Sequence, residues 1–422
     1  MIFGAKTIAQ DMTGAGASVG SNVDASAAYL RRQGQLQVAP NIHHRRQSRP
    51  DQSGRFRIHL ALLAAMVLFS GCITLDDLPS VPTDTKPTQT VSAAVPGLVA
   101  PGARVRPVIA AGKDGRLYVA SEGPGMASLA LYVFDGKKWT GQTIVTASKA
   151  TALRCYVPDI EVGADGTCWV SFRWGKKEGG VLHGPGIYIR SPDGTGKLVY
   201  PHITTGAARI EPDGPGIVLM SKNGAFGRID KSGTVTSGGM MKAGLGTGEK
   251  FDLDTDGQTW AVAINGCTAQ PSSITIGTAS GGKRVTSFDH GLFPSLGDDL
   301  NYTSVLLHKD TAWAAMIESG KLRLNALTGT ALRWPATAPA SLGAGTMDQR
   351  CPPRLVAAKA GPAVIWRRGQ EIVMVDIEKG LKGAAPVRLA SGIYPSAATG
   401  PDGRVHLVYV DGAGLHYKEV AQ

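Results

Sequence analysis

The feature that most constrains this chain is a turn that returns seven times. From Arg104 onward an apolar strand, a tight turn and a second apolar strand recur, followed by one or two more strands. The turns are Asp114-Gly115, Asp165-Gly166, Asp213-Gly214, Asp256-Gly257, Lys309-Asp310, Ala360-Gly361 and Asp402-Gly403. They stand about 42–54 residues apart, the period of an array of small sheets. Asp-Gly between apolar runs signals a hairpin, and the two-residue form of that turn needs positive φ at both central positions. In four units a proline (Pro107, Pro158, Pro353, Pro395) precedes the turn by seven residues. A large ring follows four residues after it at Tyr118, Trp169, Trp260 or His406, and Trp313 matches if the fifth turn is one residue shorter.

Seven units of this length, each with room for about four strands, predict an all-β chain folded as a seven-bladed β-propeller. A lone four-stranded blade has two apolar faces and cannot bury them, whereas a closed ring hides both against neighbours and leaves only short edges. The last unit supplies three strands, near Ser396–Thr399, Val405–Val410 and Leu415–Val420. Its missing outer strand is expected from the N-terminal side, at Thr88–Ala94, so that the two ends of the domain (residues 104–422 with the strand before them) pair.

The N-terminal residues read as an address. Ile58–Ser70 is a short apolar run preceded by Arg55 and Arg57 and followed by Gly71-Cys72. It is shorter than the ~20 apolar residues a membrane-spanning helix needs, and its flanks are those of a secretory signal over residues 55–71. Leu68-Phe69-Ser70-Gly71-Cys72 resembles the bacterial lipobox, with Phe69 in place of the usual leucine. That resemblance implies cleavage before Cys72, lipidation of its thiol and anchoring of an exported lipoprotein to a membrane. Ile73 is not the aspartate associated with inner-membrane retention, so the resemblance implies the outer membrane or cell surface. Residues 1–54 carry no core pattern and are read as a disordered leader or an over-long gene start. Over 72–103, Pro79, Pro82, Pro87 and Pro96 punctuate a polar stretch suited to an extended tether.

The formal charge of +11 resembles a polyanion-binding signal, but residues 1–57 hold eight Lys/Arg against three Asp/Glu. The remainder is a mixed surface, and nucleic-acid binding is not expected. A monomer is expected.

Aligning the first strand of each unit by its turn places Asp159, Glu161, Arg209, Lys250, Asp252, Arg354 and Ser396 at one phase. Strand side chains alternate between faces, so these residues share a side, expected to look into the central channel. One reading joins Glu161, Arg209 and Asp252 in a carboxylate–guanidinium–carboxylate network that satisfies itself. The other uses them, with Arg106, Tyr302 and Tyr394 at the channel mouth, to bind a polar ligand. Asp252-x-Asp254-x-Asp256-Gly257 also opens like a calcium loop, but Trp260 and Ala263 occupy the positions where carboxylates would complete it, so calcium is a minor alternative to having no cofactor. Cys155, Cys168, Cys267 and Cys351 allow three disulfide connectivities, and none is chosen; Cys168 stands where the repeat has Leu117 and Val405, which reads as core.

The repeat, in phrases such as Pro158-Asp159-Ile160 and Asp165-Gly166-Thr167-Cys168-Trp169-Val170, resembles bacterial sialidase-like and polysaccharide-active propellers over most of residues 104–420. Their Ser-x-Asp-x-Gly-x-x-Trp box has only Ser191-Pro192-Asp193 as a counterpart, without the glycine and tryptophan. Where the family has an arginine two residues before the first proline, Val105 stands here and Arg106 is displaced by one. His183, Tyr156, Tyr188 and Arg190 gather in the second unit and are the candidate acid–base residues of a lyase or glycosidase. The leading expectation is a non-catalytic, surface-tethered propeller that binds a glycan or protein at its channel rim. A polysaccharide lyase or glycosidase and an envelope-assembly scaffold are the alternatives.

Overall fold

The structure is a computed structural model. It describes residues 89–90, 97–102, 105–146, 153–176, 182–201, 208–221, 225–240, 251–256, 259–264, 273–278, 286–287, 303–309, 311–318, 321–328, 331–333 and 352–420. All of these belong to the unit Cys72–Gln422. The chain is all-β: among the described residues the helical content is one 3₁₀ turn, Pro124–Met126, and one short helix, Ile377–Leu381, capped by the Asp376 side chain. No helix among them is long and apolar enough to cross a membrane.

The described strands form seven antiparallel sheets, numbered 1 to 7 here in the order of their first strands: Val105–Ala111, Leu153–Val162, Ala208–Asp213, Phe251–Thr255, Thr303–His308, Arg354–Ala358 and Ile393–Thr399. In sheets 2 to 6 the four strands are neighbours in chain order.

In sheets 1, 2 and 7 the turns differ from the two-residue form expected from the sequence, whereas sheets 3, 5 and 6 keep two-residue loops between Asp213 and Gly216, His308 and Thr311, and Ala358 and Gly361. In sheet 1 the N–H of Gly112 donates to the carbonyl of Arg116 and the N–H of Gly115 to that of Gly112. Only the glycine is left-handed, at φ 78°. This is a three-residue loop, a type I turn closed by a glycine bulge, which needs one positive φ instead of two. The aspartate stabilises it from within: Asp114 Oδ1 accepts the N–H of Arg116 at 3.0 Å. Asp165 and Asp402 do the same at Thr167 and Arg404, with Gly166 and Gly403 left-handed. The Asp-Gly pair is therefore selected by one backbone angle and one side-chain acceptor.

Burial shows how the sheets are joined. Seven apolar clusters fill seven boundaries. Tyr118 and Leu131 meet Val170 and Phe172 between sheets 1 and 2, and Trp169 and Ile189 meet Ile210 and Leu219 between 2 and 3. Met220 packs on Trp260 between 3 and 4, and Ala263 on Ala314 between 4 and 5. Leu324 packs on Trp366 between 5 and 6, Ile365 on Leu407 between 6 and 7, and Val408 on Val119 between 7 and 1. The rings four residues after the turns fill this space: Tyr118 and Trp169 are fully buried. Each first strand also contacts the first strand of the sheets on either side, and the seventh contacts the first. Sheets in a closed cycle, with their first strands innermost around a shared cavity, have the architecture of a β-propeller.

The strand that completes sheet 7 is Leu98–Pro101, not Thr88–Ala94. It pairs with Gly414–Val420, and Val99 and Ala100 are fully buried in the cluster shared with sheet 1. The earlier pair Gln89–Thr90 instead adds to the outer strand of sheet 1, Trp139–Thr146. The cause is local: Gly97 turns left-handed at φ 79° and its carbonyl accepts the Tyr417 N–H at 2.6 Å. The apolar Leu98-Val99-Ala100 suits a seam that excludes water.

Candidate functional site

The site is built from the seven inner strands, whose phase was legible in the sequence. Sheets 1, 2 and 7 interrupt their pairing at Val105/Val108, Tyr156/Asp159 and Ile393/Ser396. Each interruption surrounds a repeat proline, Pro107, Pro158 or Pro395. Proline has no N–H for the ladder, and a bulge accommodates it. Just before two of these prolines, Arg106 at φ 47° and Tyr394 at φ 56° are left-handed. Side chains other than glycine adopt that region at a cost of about 1–3 kcal/mol, and a following proline disfavours it further. Arg106 and Tyr394 thus occupy equivalent, strained positions at the head of neighbouring inner strands, just before the residues Val108 and Ser396 that line the cavity, and Tyr394 packs in part against the apolar cluster between sheets 7 and 1. Arg106 Nη2 lies 3.0 Å from Glu122 Oε2, a carboxylate with no exposed surface. Arg173, 3% exposed, lies at the same end of sheet 2, opposite Tyr156 in register.

Farther along the inner strands lies a cavity of about 300 Å³ lined by residues of all seven of them. The polar residues of its lining, with Arg209 beside them, form two tiers. The upper tier runs Asp159, Arg209, Asp252, Ser304, Arg354 and Ser396 around sheets 2 to 7. Arg209 stands between two carboxylates, 3.7 Å from Asp159 and 3.6 Å from Asp252, and its Nε donates to the Phe251 carbonyl at 3.3 Å. The carboxylates also reach forward to the next sheet: Asp159 accepts the Ile210 N–H at 3.1 Å and Asp252 the Val305 N–H at 2.9 Å. Ser304 accepts the Leu355 N–H at 3.2 Å. An inner strand has an edge with no strand beside it, and these side chains satisfy its N–H groups. Burial raises the Asp252 carboxyl above its ordinary range, with Arg209 and Arg354 pulling the other way.

This geometry corrects the expected network. Arg209 pairs with Asp159 and Asp252, and Glu161 stands one tier lower. There Glu161, Glu211 and Asp254 come from three consecutive sheets, while Leu306, Val356, Ala398 and Ala110 line the rest of that level. Burial, then the neighbouring carboxylates Asp159, Asp254 and Asp252, holds Glu161 well above the usual carboxylate range. Glu211 is raised in the same sense, by burial and then by Glu161 and Asp254. Asp254 is pushed by burial up to about 7 although it accepts the Leu307 N–H. Glu211 was missed in the sequence, yet its signal was present: Asp159-x-Glu161, Arg209-x-Glu211 and Asp252-x-Asp254 repeat one spacing. Glu122 and Arg173, both on second strands, had no such signal.

The other candidates separate. Tyr188 lies in the core between sheets 1 and 2 and takes a hydrogen bond from Gln142 at 3.2 Å; burial raises its phenol. Arg190 ends that same third strand, away from the cavity lining. Tyr156 and His183 are placed only by their strands, and their side chains lie outside what is described. The lyase or glycosidase group therefore does not converge on the channel through Tyr188 or Arg190. Asp252, Asp254 and Asp256 do not form one loop site either: the first two serve sheet 5, and Asp256 caps its own turn at Thr259. Among the described residues no group of three His, Cys, Asp or Glu is spaced to hold a metal ion. Cys168 is fully buried with a free thiol. Cys72, Lys250, Cys267, Tyr302 and Cys351 lie outside the described residues, as does the Cys155 side chain.

No protein-family model and no curated protein matches the chain. Solved structures resemble it in fold. The "Crystal Structure of Mitotic Checkpoint Complex" is 12% identical, with a TM-score of 0.49 over 82% of this chain and 98% of that one. An α-L-arabinanase of Penicillium chrysogenum complexed with arabinobiose is 13% identical, with a TM-score of 0.47 over 82% and 96%. The Hadza microbial sialidase Hz136 is 12% identical, with a TM-score of 0.43 over 75% and 65%. At this distance none of them bears on what this chain binds or does.

Proposed function

We propose that this chain is an exported lipoprotein, tethered through Cys72. Its domain is a seven-bladed β-propeller closed by its own N-terminal strand, and it binds a glycan or protein partner at the channel mouth without catalysing a reaction on it. The observation that carries this reading is the matched pair Arg106 and Tyr394, both left-handed before a proline on adjacent inner strands. Strain of that kind persists where the surroundings enforce it, and it clusters at binding sites. A guanidinium held by Glu122, with an aromatic ring on the neighbouring strand, suits a hydroxyl-rich or anionic ligand. Against catalysis stands the engagement of Asp159 and Asp252, whose carboxylates hold neighbouring backbone N–H groups.

Incubation of the full chain with a panel of anionic and neutral polysaccharides tests the reading. Binding that is lost in Arg106→Ala, with no new reducing ends or unsaturated products, is the expected result. Turnover would replace it with the lyase or glycosidase reading. Absence of polysaccharide binding, together with a stable complex recovered from detergent-solubilised envelope, would replace it with the scaffold reading. Cys72→Ser should release the protein from the membrane fraction.

A further inference from the structure

The two tiers of the cavity differ in a way that ligand binding at the mouth does not use. In the upper tier the charges alternate in sign and are joined by ion pairs or by bonds to the next sheet. In the lower tier three carboxyl groups, Glu161, Glu211 and Asp254, stand on sheets 2, 3 and 4 with apolar residues on the remaining wall. Charged or titratable residues on or just after these inner strands include Asp159 on sheet 2, Arg209 and Asp213 on sheet 3, Asp252 and Asp256 on sheet 4, His308 and Lys309 on sheet 5 and Arg354 on sheet 6; of these, Asp159, Asp252 and Asp256 act on the three carboxyl groups. Sheets 1 and 7 line this level with Ala110 and Ala398. Asp213 is already paired with Arg228, and Arg209 with Asp159 and Asp252. Three like charges on one side of a partly buried cavity repel one another more strongly than on a fully solvated surface.

We propose that this tier is a proton-held latch: sheets 2, 3 and 4 stay closed around the cavity while Glu161, Glu211 and Asp254 keep their protons, and their ionisation loosens that part of the ring. The direction follows from linkage. A carboxyl group whose pKa is higher in the folded chain than in the unfolded chain binds extra protons on folding. Its stabilising effect is complete below the unfolded value, about 4, and is lost as pH rises through the folded value. For Asp254 that window closes near 7; Glu161 and Glu211 act in the same sense. Asp254 also holds the Leu307 N–H, so the loosening reaches the boundary with sheet 5.

Thermal unfolding of the full chain between about pH 5 and about pH 8, wild type against Glu161→Gln/Glu211→Gln, tests the latch. The wild type should lose several degrees of melting midpoint as pH rises. The doubly neutral chain should lose most of that slope and melt above the wild type at the alkaline end. Parallel slopes in the two proteins would overturn the proposal. Infrared spectra of the wild type give a second reading that does not depend on the variant folding. A protonated-carboxyl carbonyl band at neutral pH that fades on alkalinisation is expected, and its absence at neutral pH would overturn the latch.

Discussion

Asp252 on sheet 4 accepts the backbone N–H of Val305 on sheet 5 at 2.9 Å. The bond crosses the boundary between two sheets and satisfies an N–H that faces the channel, where no strand is available to pair with it. Truncation to Asp252→Ala leaves that donor buried without its acceptor and removes one partner of Arg209. A loss of about 1–3 kcal/mol of stability is expected, read from the midpoint shift in chemical denaturation. Asp252→Asn keeps an oxygen for the N–H and should cost less. Equal stability of Asp252→Ala and wild type would show that the forward bonds are incidental to the ring.

The seam between the two ends of the domain is testable at Gly414. A Cβ there would sit 2.2 Å from the Ala100 carbonyl oxygen, and the residue is left-handed at φ 149°. Gly414→Ala must push the closing strand outward, at a cost of roughly 1–3 kcal/mol. Amide exchange should rise first at Tyr417 and Gly102, whose N–H groups bond across this seam. Deletion through residue 96 should be milder than deletion through residue 101, because Val99 and Ala100 carry the buried contact. Equal melting of the two truncations would count against closure by Leu98–Pro101.

Lys309 adopts φ 54° in an exposed turn. A lysine there carries backbone strain that glycine lacks, and the site offers little packing to lose. Lys309→Gly should raise stability by up to about 1 kcal/mol, seen as a small upward shift in the melting midpoint. A downward shift would mean that the lysine side chain makes a stabilising contact of its own.

Burial pushes the Cys168 thiol far up, with Glu161 adding to the rise and Arg190 opposing it. A thiol held neutral is a poor nucleophile. Cys168 should resist iodoacetamide in the native chain and alkylate in denaturant, as read by peptide mapping. Labelling under native conditions would mean that the boundary between sheets 1 and 2 opens readily.

Much of the architecture can be read from the repeat itself. Asp-Gly at regular intervals marks the hairpins because a local backbone angle and a local side-chain acceptor are enough to specify them, as at Gly112–Arg116. The rings at Tyr118 and Trp169 mark the faces that must be buried, and the Asp-x-Glu spacing marks what lines the channel. The turn geometry was less legible, since a glycine bulge and a two-residue turn share the same dipeptide.

The sequence by itself determined an antiparallel β chain, its strand phase and which residues could not face apolar neighbours. Those properties are set within a few residues by alternation, turn chemistry and hydrophobicity. Only the tertiary structure decided that Arg209 answers Asp159 and not Glu161, that Glu211 completes an acidic tier, and that Leu98–Pro101 takes the place beside the last strand. Each of these depends on groups about forty or more residues apart being brought to one cavity or one seam by the packing of successive sheets, and no local rule of the chain encodes such a meeting.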